Sequence, residues 1–133
     1  MRVRELAKAL GVTDDTVRYY TRIGLLKPRR SHGNGYKDYR EEDMHRLRFV
    51  LAARALGFSV DDVGQILAEA DKGQAACPVV RDLFEQRLQE TEHRFEELSA
   101  LRSRMLRAVI GWRAKPDRAP TGDMVCHLIE EWT

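Results

Sequence analysis

A chain of 133 residues, 43% hydrophobic and 33% charged, has room for one small domain, or for a short domain followed by an extended element. Its few aromatics suit helices with solvated faces; no apolar run reaches membrane-spanning length, and the amphipathic opening MRVRELAKAL is unlike a signal peptide, so a cytoplasmic protein with no membrane partner is expected. Only two cysteines, Cys77 and Cys126, occur; that excludes a secreted disulfide framework, and both are expected as thiols.

The net charge of +2 conceals an asymmetry. Residues 1–54 carry 13 Lys/Arg against 7 Asp/Glu, and residues 55–133 carry 10 against 14. A basic first half followed by an acidic second half suits a nucleic-acid-binding head with a separate interaction module.

Residues 3–10 place Val3, Leu6, Ala7 and Leu10 on one helical face, and Gly11 stops that helix. Thr13 caps a second helix, with Asp14 and Asp15 near its positive end, which runs through TVRYYTRIG to Gly24. Two short helices joined by a tight turn form a helix-turn-helix. Arg18, Tyr19 and Tyr20 fall on its second helix, where arginine can reach guanine edges or phosphates and tyrosine hydroxyls can bond phosphate oxygens. KPRRSHGNGYKDYR then breaks the helical period. Asn34-Gly35 is a hairpin-turn pair flanked by the strand formers Tyr36 and Tyr39, so a basic wing carrying Arg29, Arg30, His32 and Lys37 is expected.

A third helix is expected over residues 41–56, acidic at its start and basic later, with His45 on its surface. Ser59 with Asp62 reads as a capping-box variant that starts a fourth helix. After a linker or hinge at 71–77, Pro78 opens a long helix over residues 78–111. Along it Val80, Phe84, Leu88, Thr91, Phe95, Leu98, Leu101, Met105 and Val109 follow a three-four spacing. No other part of the chain is long enough to cover that stripe, so a coiled-coil homodimer is expected. His93, set among glutamates, reads as an exposed helix residue. The expected fold is therefore mainly α. It has a winged helix-turn-helix head at 1–70, a long dimerisation helix, and a loop with a short helix at 112–133.

In this order of elements the chain resembles the MerR family of bacterial transcription regulators along nearly its whole length. TVRYYTRIGLLKP resembles the family's recognition helix, NGYKDY its wing, RALGFSVDDVGQIL the following helix pair, and CPVVRDLFEQRL the start of its dimer helix. The resemblance implies a homodimer on a palindromic operator whose promoter spacer is too long for polymerase. An effector lets it bend and untwist that DNA, which acts on RNA polymerase indirectly. By position it implies that Arg18, Tyr19 and Tyr20 meet the major groove and its flanking phosphates. It further implies that Tyr36, Lys37 and Tyr39 are wing contacts and that Arg54 is a phosphate contact. Lys37 stands where the family usually has arginine, which keeps the charge and loses the planar fork.

The resemblance also speaks to the two thiols. In the metal-sensing branch, two cysteines after the dimer helix bind the effector with a third group from the start of the partner's helix. Cys126 is similar to the second loop cysteine and Cys77 to the group lent by the other protomer, which antiparallel pairing would bring together. Thiolates favour soft ions (Zn, Cd, Pb, Hg or Cu(I)), and His127 and Asp123 are the nearby candidates for further ligands. Trp112 stands where those sensors have their first loop cysteine, and the long loop RAKPDRAPTGDMV holds none. Several effector readings stay open: a soft ion, an inter-subunit disulfide or modified thiol, an organic ligand against Trp112 and Trp132, or two plain buried thiols. No nucleophile-base spacing, phosphate loop or paired carboxylates point to an enzyme. A coiled-coil adaptor would leave TVRYY and the wing unexplained.

Overall fold

The computed structural model describes residues 1–30, 33 and 35–133. Ser31, His32 and Asn34 lie outside the described residues, and with them the expected wing contact His32 and half of the Asn34-Gly35 turn. The chain forms two compact units, Met1–Arg87 and Leu88–Thr133.

In the first unit α1 (Val3–Leu10) and α2 (Asp14–Arg22) make the helix-turn-helix. Gly11 ends α1 at φ 68°, a left-handed conformation that a side chain resists, and its neighbour Val12 returns an N–H to the Ala7 carbonyl at 3.0 Å. Thr13 Oγ1 then accepts the Thr16 N–H at 3.1 Å, which satisfies one orphan donor of α2. Strands β1 (Arg29–Arg30) and β2 (Lys37–Asp38) pair antiparallel, Arg29 opposite Asp38 and Arg30 opposite Lys37. Helix α3 (Glu41–Leu56) starts where the Asp43 carboxylate accepts the Arg40 N–H at 2.9 Å. Helix α4 (Val60–Asp71) starts on the expected box: Ser59 N–H donates to Asp62 at 2.9 Å and Asp62 N–H donates to Ser59 Oγ at 3.1 Å.

Leu6, Val17, Leu26, Tyr39, Leu47, Val50 and Val63 close the core of this unit. Each such side chain contributes about 1.5–3 kcal/mol by leaving water, so the short helices are held by packing rather than by propensity.

Helix α5 runs unbroken from Cys77 to Arg113, 37 residues, or about 55 Å at about 1.5 Å per residue. Its first three turns belong to the head. Leu83 is buried in the head core, Val79 and Val80 pack against it, and the Phe84 ring lies 4.9 Å from Phe58. Val80 and Phe84 were expected on the dimer stripe. They pack on the head because α3 and α4 present an apolar surface where α5 begins.

The second unit holds the rest of α5 and α6 (His127–Glu130). Trp112 is half-buried, donates from Nε1 to the Leu128 carbonyl at 3.1 Å, and meets Trp132 edge-on at 6.2 Å. The Trp112 indole thus fastens α6 to the end of α5. Among the described residues no helix is long and apolar enough to cross a membrane.

Candidate DNA interface and thiol site

Helix α2 is amphipathic, and its period decides which aromatic faces out. Val17 and Tyr20, three apart, point into the core, and Tyr20 is 8% exposed. Arg18 and Tyr19 are exposed, and Arg22 sits over the Tyr19 ring at 5.5 Å. The expected trio Arg18, Tyr19, Tyr20 therefore divides: the first two are displayed, while Tyr20 is a core residue whose ring meets Tyr19 edge-on at 5.2 Å. Arg22, one turn beyond Arg18, joins the displayed face; the same helical period could have found it. The Arg18 guanidinium is held by Asp15 at 3.1 Å and Asp14 at 3.9 Å. Exposed pairs of this kind are worth about 0–1 kcal/mol, so a phosphate can displace them.

The wing divides in the same way. Tyr36 is 62% exposed with the Arg2 guanidinium 4.4 Å above its ring, and Lys37 is exposed on β2. Tyr39 is 2% exposed, and its hydroxyl shares a 2.7 Å hydrogen bond with Thr21 Oγ1. Its backbone N–H donates to the Met1 carbonyl at 2.7 Å. Extended backbone turns residues three apart to opposite faces, so Tyr39 points inward and Tyr36 outward. Tyr39 pins the wing to α2 and does not reach solvent.

Arg54 is exposed near the end of α3, and its Nη1 donates to the Phe58 carbonyl at 2.7 Å, which leaves its other donors available. Arg46 was not singled out by sequence. It donates from Nε to the Leu25 carbonyl at 2.7 Å and from both terminal nitrogens to Asp71 at 2.9 Å. That fork ties the α2–β1 loop to α3 and to the end of α4. The hydrogen bonds from Arg46 hold the Asp71 carboxyl below the usual carboxylate range.

Both cysteines are free thiols, Cys77 exposed at the first position of α5 and Cys126 half-buried just before α6. The Glu130 carboxylate accepts the N–H groups of Cys126 at 2.7 Å and Val125 at 2.9 Å, which fixes the backbone at the thiol. His127 is 4% exposed, and its Nε2 stands 3.0 Å from the Pro116 carbonyl, which can only accept, so Nε2 carries the proton. Its Nδ1 lies 3.7 Å from Glu131. Arg118, bonded to Glu131 at 2.6 Å, and then His127 hold that carboxyl below its ordinary range. The imidazole is thus turned into its own unit. Asp123 is exposed in the preceding loop, and among the described residues of one chain no three His, Cys, Asp or Glu side chains gather as a metal site.

Comparison with known proteins agrees with this geometry. Residues 1–70 match the MerR HTH family regulatory protein profile, and residues 44–108 match the profile described as MerR, DNA binding. The chain is 41% identical over 102 residues to the HTH-type transcriptional regulator HmrR of Rhizobium leguminosarum bv. viciae, covering 77% of this chain and 78% of the relative. It is 32% identical over 131 residues to heavy metal-dependent transcription regulator 2 of Rhizobium meliloti (strain 1021), covering 98% and 85%. The fold is similar to that of the transcription regulator PbrR691 from Ralstonia metallidurans CH34, solved in complex with lead(II). The TM-score is 0.77 at 23% identity, over 100% of this chain and 99% of that one. These relatives are regulators rather than enzymes. A winged helix-turn-helix with its basic face displayed, a long helix behind it and two family profiles in register lead to one conclusion: the chain belongs to the MerR family of DNA-binding transcriptional regulators.

Proposed function

We propose that two copies of this chain pair antiparallel through α5 and bind a two-fold-symmetric promoter operator. An effector that joins Cys126 to Cys77 of the partner subunit then sets how far they bend and untwist that DNA. What supports the pairing is the bare apolar stripe beyond the head: Phe95 is 70% exposed, Leu98 64% and Met105 60%. A solitary helix of a soluble protein would not keep such a row in water, and a symmetric partner removes it. Arg18, Tyr19, Tyr36, Lys37 and Arg54 meet the DNA, the arginines and lysine at phosphates or guanine edges, the tyrosines through hydroxyls and ring faces.

The observation that carries the sensor is the state of the donors. Both sulfurs are free, and His127, the nearest third ligand by sequence, donates from Nε2 to Pro116 and keeps its Nδ1 inside its own unit, 3.7 Å from Glu131. A site with one sulfur from each chain suits a soft ion content with two ligands, Hg(II) or Cu(I), better than zinc, which takes four. The relative named as heavy metal-dependent supports a metal, as does the lead(II) complex of PbrR691 for that fold. The same two-donor arrangement favours a second reading, an inter-subunit disulfide formed by an oxidant.

Native mass spectrometry of the dimer, with Hg(II), Cu(I), Zn(II), Cd(II) and Pb(II) supplied singly and then with peroxide, separates the two. One ion per inter-subunit site, lost in both Cys77→Ser and Cys126→Ser, is the expected result. A loss of two hydrogens per disulfide with no metal retained would favour the redox reading. Full metal binding by either serine variant would end the shared-site proposal.

A further inference from the structure

An open groove of about 610 Å³ lies between the start of α1, the start of α2 and the wing. Among the described residues its wall carries four cations, Arg2, Arg4, Arg18 and Lys37, against one acid, Asp14. Neither Arg2 nor Arg4 belongs to the helix-turn-helix face or the wing that sequence singled out.

Two features give this groove the character of an anion seat. The Arg2 guanidinium carbon lies over the Tyr36 ring, 4.4 Å from its centre. A cation held over a ring face keeps its charge and N–H donors for an anion. Asp14 lies 3.9 Å from both Arg4 and Arg18, at the outer limit of an ion pair, and so places two guanidinium groups around one point; Arg18 also meets Asp15 at 3.1 Å, an exposed pair worth about 0–1 kcal/mol that a phosphate can displace. Arg4 is 88% exposed in this pairing.

We propose that this groove seats the phosphodiester backbone of the operator, with Arg2 and Arg4 joining Arg18 and Lys37 as phosphate contacts. The proposal rests on the DNA-binding reading above and adds a subsite to it. The groove is open to solvent and includes Arg18 of the displayed face of α2, which suits a strand lying across it rather than a small ion captured whole. Contacts to phosphate carry no base preference, so Arg2 and Arg4 contribute affinity and register, while Arg18 alone spans seat and base edges. Tyr36 acts as a positioning residue, holding Arg2 at the groove wall.

The test is fluorescence anisotropy of the full-length dimer on its own promoter duplex and on a scrambled duplex, across a series of salt concentrations. Each lost phosphate contact lowers the salt slope by about 0.9. Because the dimer carries each residue twice, Arg2→Ala/Arg4→Ala is expected to flatten the slope by about 3.6 and to weaken both duplexes alike, by at least about tenfold at moderate salt. Arg4→Ala alone, at a solvent-exposed side chain, is expected to give half the slope change and serves if the double variant melts early.

An unchanged slope overturns the seat while leaving the regulator reading intact, and so does a loss confined to the promoter duplex. Absence of any duplex binding by the unmodified dimer overturns both. Calorimetric titration with inorganic phosphate separates the source of the anion. Tight saturable binding that vanishes in the double variant would overturn the strand in favour of a free ion.

Discussion

Tyr36 and Tyr39 stand three residues apart with opposite fates, and so do the neighbours Tyr19 and Tyr20. In the wing an odd interval sends side chains to opposite faces; in α2 the interval of three from Val17 to Tyr20 keeps both on the buried face. The local period was therefore enough to separate displayed tyrosines from buried ones, a distinction that a motif taken as a block does not make. The physical difference is measurable. Tyr39→Phe removes the bond to Thr21 and keeps the ring, so it should cost about 1 kcal/mol in urea unfolding. Tyr36→Leu should leave the urea midpoint within error and weaken duplex binding, because that ring is 62% exposed and lies beneath the Arg2 guanidinium. A destabilised Tyr36→Leu with unchanged DNA affinity would reverse the two assignments.

At the scale of elements, two charged pairs hold helices together, and they differ in burial. Asp62 is 2% exposed, caps α4, and has Arg87 of α5 at 2.9 Å. Arg87→Ala would leave a buried carboxylate without its cation. A fully buried pair loses about 3–5 kcal/mol when one partner is removed, and with Arg87 still 26% exposed about 1–3 kcal/mol is expected from chemical denaturation. In the Arg46–Asp71 fork the carboxylate is about half exposed, and the pair acts differently. Its carboxyl is depressed in the folded state, so its stabilisation is complete above the ordinary carboxylate range and fades as pH falls through the lowered value. Wild type should therefore outlast Asp71→Asn at neutral pH in thermal melts, and the gap should close as pH falls below the ordinary carboxylate range. A gap that widened on acidification would mean that some other group carries the effect. The Ser59–Asp62 box was legible from its four-residue spacing. Neither Arg46 nor Arg87 was, because their partners lie 25 residues away in both cases and only the packed helices bring them together.

At the scale of the whole molecule, α5 serves two surfaces in succession, and its sequence does not announce the change. The apolar spacing runs without a break from Val80 to Val109, yet Val80, Leu83 and Phe84 face the head, while Phe95, Leu98 and Met105 remain bare. The periodicity reported that a face is apolar; what covers it depends on the neighbours that the fold supplies. This separation allows the pairing to be cut without harming the head. Phe95→Asp/Leu98→Asp puts two charges on the bare stripe and touches nothing in the core of residues 1–87. Sedimentation should show a monomer at micromolar concentration, and the head should keep its cooperative unfolding. Two linked heads on one operator gain about 10²–10⁴ in binding over a single head, so the monomer should lose at least about a hundredfold on the promoter duplex. The proposed inter-subunit metal or disulfide site should be lost with the pairing, since it needs a cysteine from each chain. A variant that stayed dimeric, or a monomer that bound promoter as tightly as wild type, would show that α5 does not join the two heads.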